Sequence, residues 1–313
     1  MEAFIKQKAC ELGFTACGIA KAGPVEEAER QRYLKWIEEQ RHGEMGYLER
    51  NIEKRFDPTL LVPGCKSLIV CALNYFPPQT IKESHLRIAY YAYGKDYHKV
   101  LKDKLYQLAQ AIEERKKESS TSSSPQPSAM KPRALVDSAP ILERYWAQKA
   151  GLGWIGRNRQ LIIPGAGSFF FLGILAVGDE LKADNPCPNR CGTCHACLDA
   201  CPTGALKEVF DARKCISYLT IEQKTPISSG FLPLIKPRIY GCDSCQTSCP
   251  WNRFAQATDE KAFFPSDKLL QMTDAEWEAL SEEQYAALFA ESAVERAGYN
   301  KLKDNIQATK AEK

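Results

Sequence analysis

Four cysteines set the strongest constraint on this chain: Cys191, Cys194, Cys197 and Cys201, followed by Pro202, form a C-x2-C-x2-C-x3-C-P run. That spacing belongs to tight loops that aim three thiolates at one cube of iron and sulfur. A second run, Cys242, Cys245 and Cys249 before Pro250, keeps the last three cysteines and lacks the first, for which Cys215 is the best candidate. In paired-cluster proteins the last cysteine of each run ligates the other cluster. The expected assignment is therefore Cys191, Cys194, Cys197 and Cys249 around one 4Fe-4S centre, with Cys201, Cys215, Cys242 and Cys245 around the other. Structural zinc, the weaker alternative, also uses C-x2-C pairs but has no need of the repeated x3-C-P ending. Disulfides fit less well, because thirteen cysteines is an odd number and neighbours in so short a loop do not bridge without strain. His195 reads as a loop residue between ligands, and Cys187 as free.

A length of 313 residues suggests two domains. The formal net charge of +3 permits a polyanionic partner without demanding one, since nucleic-acid binding depends on clustered Lys and Arg rather than on their total. The N-terminal residues enter a helical pattern directly, with no apolar stretch of signal-peptide type. No window approaches the roughly 18 apolar residues of a membrane span. A cytoplasmic protein without membrane attachment is expected. The unassigned cysteines Cys10, Cys17, Cys65, Cys71 and Cys187 suit a reducing compartment.

Periodicity gives a helix over 2–12, a strand from Phe14 to Ala20 and a helix from Val25 to Gln40. Ser67 to Asn74 is an almost unbroken apolar run, which belongs inside a sheet covered on both faces. The tyrosine-dense stretch Ala89 to Gly94 reads as half-buried packing and would equally suit the wall of a cofactor pocket. A helix from Tyr97 to Lys117 leads into a polar, serine- and proline-rich surface loop over 118–128. A strand from Arg133 to Asp137, a helix from Ile141 to Ala150 and a strand from Ser168 to Gly178 follow. Strands alternating with helices argue for a layered α/β domain over 1–183. The cysteine-rich domain occupies 184–255 and a helical segment 256–313. There Asp274 and Ser281 are expected to cap packing helices, and the polar residues after Lys301 to fray.

Several stretches resemble the epoxyqueuosine reductases. They are Asp137-Ser138-Ala139-Pro140-Ile141-Leu142-Glu143-Arg144, Ala150-Gly151-Leu152-Gly153-Trp154-Ile155-Gly156-Arg157-Asn158, Tyr93-Gly94-Lys95-Asp96-Tyr97-His98, Gly167-Ser168-Phe169-Phe170-Phe171-Leu172-Gly173, Cys215-Ile216-Ser217-Tyr218-Leu219-Thr220 and Tyr240-Gly241-Cys242-Asp243-Ser244-Cys245-Gln246. The resemblance implies an α+β fold, in which a nitroreductase-like α/β cobalamin-binding domain precedes a ferredoxin-like two-cluster domain. It also implies reduction of epoxyqueuosine to queuosine at the tRNA wobble position, by low-valent cobalamin recharged through two 4Fe-4S clusters. Asp137 is implied as the general acid; from the residues alone it would instead cap a helix beginning near Pro140. The implied corrinoid contacts are Arg55, Tyr97, His98, Asp137, Trp154, Arg157, Asn158, Ser168, Ser217, Asp243 and Ser244.

The stretch Asp96 to Leu101 falls short of D-x-H-x-x-G, the usual signature of a histidine on cobalt, and the resemblance implies a corrinoid without one. The implied partners are a tRNA anticodon loop carrying epoxyqueuosine and an external low-potential electron donor, and the expected state is a monomer. Arg157, Arg159, Lys236 and Arg238 are candidates for anticodon-loop phosphates. Longer family members carry a helical-repeat segment after the cluster domain, whereas 63 residues follow Pro250 here. Two other readings remain: a cobalamin and iron–sulfur reductase of another substrate such as an organohalide, and a plain electron carrier.

Overall fold

The computed structural model describes residues 1–119 and 130–310, so the serine- and proline-rich stretch lies almost wholly outside the described residues. The eight strands are β1 Ala16–Lys21, β2 Ser67–Asn74, β3 Arg87–Ile88, β4 Arg133–Leu135, β5 Trp154–Ile155, β6 Leu161–Ile162, β7 Phe170–Val177 and β8 Arg238–Tyr240. With the helices they make an α+β protein of two compact units interleaved in sequence. The first comprises residues 1–33, 50–74 and 98–192; the second comprises 34–49, 75–97 and 193–313. The units therefore do not follow the contiguous three-part division, and the C-terminal helices belong with the cysteine-rich unit.

The first unit is built on a sheet of order β1-β2-β7-β4 with every neighbouring pair antiparallel. In β2, Ser67 through Leu73 are all buried, and the strand takes an interior position because its aliphatic residues point to both faces. Gly18 and Gly173 show how the faces are covered. A Cβ on Gly173 would meet Leu105 Cδ1 at 2.9 Å, so the helix Tyr97–Ser119 lies against that row of the sheet. A Cβ on Gly18 would stand 2.0 Å from the Ala150 carbonyl, at the end of the helix Glu143–Lys149. Gly173 pairs with Cys71 and Gly18 with Val70, adjacent residues on β2, so the two helices cover opposite faces. Leu101, Leu105, Leu108 and Ile112 recur at helical spacing and are buried.

The second unit has one large apolar cluster. Ile88, Tyr93, Ile239 and Tyr240 pack there with Trp277, Leu280, Tyr285, Phe289, Leu302 and Ile306 from the C-terminal helices. The short parallel pair β3–β8 lies within this unit. Ser281 caps the helix Glu282–Leu288 in a capping box with Gln284. The preceding helix, Asp274–Ala279, is capped by Thr273 and not by Asp274. Threonine takes the cap because its hydroxyl and Glu276 form a reciprocal box, while Asp274 accepts a bond from the Leu86 amide at 2.8 Å. Residues 302–308 do not fray: the helix Gly298–Ala308 buries Leu302, Asn305 and Ile306. Asn305 Nδ2 donates to the carbonyls of Thr220 at 2.7 Å and Ile239 at 2.9 Å, which is what fixes this mostly polar helix.

Candidate functional site

In the first unit β4 stops at Leu135, and Asp137 adopts φ +46°, the left-handed region that aspartate tolerates better than most residues. The following helix begins at Glu143 with Leu142 at its N-cap and no side-chain cap, so Asp137 is not the cap of that helix. Its backbone N–H donates instead to Glu143 Oε1 at 2.6 Å, and its carboxylate Oδ2 lies 3.1 Å from His98 Nε2. The Asp137 side chain is 57% exposed. Glu143 is half-buried, and its acid is pushed up to about 8, first by burial and then by the negative charge of Asp137. Asp137 is thus an open carboxyl flanked by an imidazole and by a second carboxyl that keeps its proton at neutral pH.

The β5–β6 hairpin builds the second feature of this unit. Gly153 is required there, since a Cβ would stand 2.0 Å from the Ile162 carbonyl. That close turn seats the wholly buried Trp154, whose Nε1–H donates to Cys191 Sγ at 3.4 Å. Arg157 Nη2 donates to the Gly192 carbonyl at 2.9 Å, and Asn189 Oδ1 accepts from the Cys191 amide at 2.9 Å. Asn158, also buried, holds the hairpin by accepting the Gln160 amide at 3.1 Å. Arg55 is buried with its guanidinium 5.9 Å from the Tyr33 ring, and Ser168 is buried.

In the second unit the thiols of Cys201, Cys215, Cys242 and Cys245 act on one another's ionisation. Burial pushes the Cys215 thiol up to about 11, with Cys242 and Cys201 adding to the effect. Burial likewise drives Cys245 well above the usual thiol range, reinforced by Cys242, Cys215 and Cys201. Iron reverses this protonation, because cluster ligands are thiolates and the cation supplies the missing charge. Cys242 Sγ lies 3.4 Å from Ser244 Oγ, which in turn accepts from Arg238 Nη2 at 2.8 Å. Asp243 is held up at about 6 by burial, against the lowering bond from the Tyr90 amide at 2.9 Å. Gly241, next to Cys242, donates its amide to the Thr220 hydroxyl at 2.9 Å, and Thr220 is held by Asn305.

Cys197 lies in the helix Ala196–Asp199 and Cys249 immediately before the turn Pro250–Phe254. None of the thirteen cysteines is in a disulfide. Among the described residues no three His, Cys, Asp or Glu side chains converge as ligands of a metal ion. His195 is exposed and pairs with Asp199 at 2.6 Å. Tyr97 meets the Tyr91 ring at 6.5 Å, and Ser217 lies half-buried in the helix Ile216–Ile221. Of the arginines expected at phosphates, Arg157 and Arg238 already hold partners within the chain. Sequence reasoning missed Glu143, the Trp154 contact with Cys191 and the anchoring of Thr220 by Asn305. The first two lie inside recognisable motifs, but nothing in their spacing announces these contacts.

An antiparallel α+β unit with an exposed acid, in one chain with two cysteine runs of iron–sulfur spacing, defines a two-cluster iron–sulfur oxidoreductase. The model of the epoxyqueuosine reductase QueG, DUF1730, matches residues 55–138, and that of the 4Fe-4S double cluster binding domain matches 190–252. The epoxyqueuosine reductase of Cellulophaga algicola is 44% identical over 308 residues, covering 98% of this chain and 97% of the relative. That of Escherichia coli is 41% identical over 310 residues, covering 96% of this chain and 78% of the relative. The crystal structure of an epoxyqueuosine reductase with an epoxyqueuosine-modified tRNA-Tyr stem loop superposes with a TM-score of 0.84 at 27% identity, covering 98% of this chain and 80% of that one. The Streptococcus thermophilus structure gives 0.83 at 30%, covering 99% and 80%. The chain belongs to the epoxyqueuosine reductase family and is an oxidoreductase enzyme. Among the described residues no helix is long and apolar enough to cross a membrane.

Proposed function

We propose that this enzyme reduces epoxyqueuosine to queuosine in tRNA, with Asp137 as proton donor and the eight run cysteines holding two 4Fe-4S clusters. The observation that carries the reading is the Asp137 constellation: an exposed carboxyl in a left-handed turn, bonded to His98 and with its amide on Glu143. Removing the epoxide oxygen breaks two C–O bonds, forms one C=C bond, and takes two electrons and two protons as the oxygen leaves as water. Asp137 delivers a proton to that oxygen, and His98 and Glu143 stand beside it as further proton carriers. The cysteines form no disulfides, and four of them act on one another's ionisation, which suits iron–sulfur ligation.

Cobalamin, when bound, supplies the low-potential electrons for the substrate. The contacts proposed for it are, in the first unit, the buried polar side chains Arg55, Asn158 and Ser168 and, separately in the second, the polar groups Ser217, Asp243 and Ser244. Tyr97, Trp154 and Arg157 complete the proposed set. A stem loop carrying epoxyqueuosine is the ligand in one solved relative, which supports tRNA as substrate here.

The test is anaerobic reconstitution with iron, sulfide and cobalamin, followed by assay on epoxyqueuosine-containing tRNA with a strong external reductant. Queuosine should form only when both cofactors are present. Failure on tRNA with turnover of an organohalide would favour the other cobalamin reading instead.

A further inference from the structure

Trp154 is fully buried in the β5–β6 hairpin, and its indole N–H points at the sulfur of Cys191 from 3.4 Å. Burial alone does not produce such a contact: Trp146 and Trp277 are equally enclosed, yet their indole N–H groups find no acceptor among the described residues. The hairpin grips the same loop twice more, through Arg157 on the Gly192 carbonyl and through Asn189, whose side-chain amide nitrogen lies 3.4 Å from the Ile155 carbonyl. The geometry points to a tuning role: we infer that Trp154 is the hydrogen-bond donor that sets the reduction potential of the cluster ligated by Cys191, raising it relative to a cluster without this bond. The inference rests on Cys191 being a cluster ligand, as proposed above.

The physical reason is charge. A cluster that accepts one electron becomes one unit more negative, and part of that charge appears on its cysteine sulfurs. A donor aimed at such a sulfur stabilises the reduced state more than the oxidised one, so it draws the potential upward. Because Trp154 is wholly buried, water does not compete for its N–H, and the bond is stronger than it would be in solvent. Two clusters with unequal potentials give electrons a preferred order of residence, which a chain delivering them singly to a two-electron reaction can use.

The experiment is an EPR-monitored redox titration of the full, anaerobically reconstituted chain and of Trp154→Phe, which keeps an apolar ring and removes the N–H. Iron content should be unchanged, and one midpoint should move to more negative potential by up to about tenfold in the reduction equilibrium, 59 mV for one electron, while the other stays fixed. Unchanged midpoints, or equal shifts in both, overturn the inference. If the variant loses a cluster, the unaltered Trp154 is examined in protein grown on ¹⁵N-indole in which Trp251, two residues from Cys249, is removed as Trp251→Phe. Pulsed EPR of the reduced cluster should then show coupling to an indole nitrogen, and its absence also overturns the inference. Cys191→Ala separates the two levels: if it keeps all its iron, the ligand assignment has failed and not only the role of Trp154.

Discussion

In the first unit one strand, β2, buries seven residues in a row between two antiparallel neighbours, and helices close both faces of the sheet. In the second, the helices next to the cysteines are single turns: Ala196–Asp199 and Ser244–Thr247 have four residues each. Segments so short have no stability of their own. They pack against each other, and the relay from Asn305 through Thr220 fixes Gly241 just before the second of them. The difference teaches where cofactors matter for folding. The sheet is stabilised by area removed from water, whereas burial favours the neutral form of the Cys215 and Cys245 thiols in the second unit, and iron–sulfur ligation would require thiolates.

The largest expected effect falls on the second unit. Cys215→Ala should remove the cluster shared with Cys201, Cys242 and Cys245, about half of roughly eight irons per chain, while Cys187→Ala keeps them all. Anaerobic iron analysis checks this; equal losses in the two variants would mean that the ligands are assigned wrongly. Asp137→Asn, in the first unit, should lower turnover by about 10²-fold or more with iron and cobalamin content intact, since it removes the acidic proton and keeps the shape. Near-normal turnover would move the proton donor to Tyr97, His98 or water.

Ile69→Ala tests the sheet itself. Ile69 is fully buried and pairs with Ile19 on one side and Leu175 on the other, so truncation should cost about 2–5 kcal/mol in denaturant unfolding. Its iron content per folded chain should not change, and a parallel loss of iron would break the contrast between the units.

The smallest effect concerns pH. Glu143 titrates at about 8 in the folded chain against 4.5 ordinarily, because burial and the charge of Asp137 outweigh the help of Arg144 and His98. Between those values the folded state holds a proton that the unfolded chain releases, so stability falls as pH rises through the window. Glu143→Gln should flatten that slope in unfolding midpoints measured from pH 5 to pH 8; an unchanged slope would place its source elsewhere.

The cysteine runs, the apolar strand Ser67–Asn74 and the helix opening at Tyr97 could be read from the chain directly, because each is a local pattern whose meaning is fixed by spacing. The family motifs pointed to Asp137 by the same route. The tertiary structure alone decided how those pieces pair. Residues 34–49 and 75–97 join the cysteine-rich unit although they lie far from it in sequence, and the Asn305 amide reaches back 85 residues to Thr220. Asp137 reads as a helix cap in sequence because a proline follows it, but the helix starts only at Glu143, whose carboxyl takes the Asp137 amide. Trp154 is an apolar residue in a glycine-rich turn until the hairpin closes and its N–H meets Cys191, 37 residues away. Periodicity and spacing record which residues share a face or a loop. Partners brought together by packing of distant segments leave no such trace, since they depend on side-chain shape and burial and not on separation along the chain.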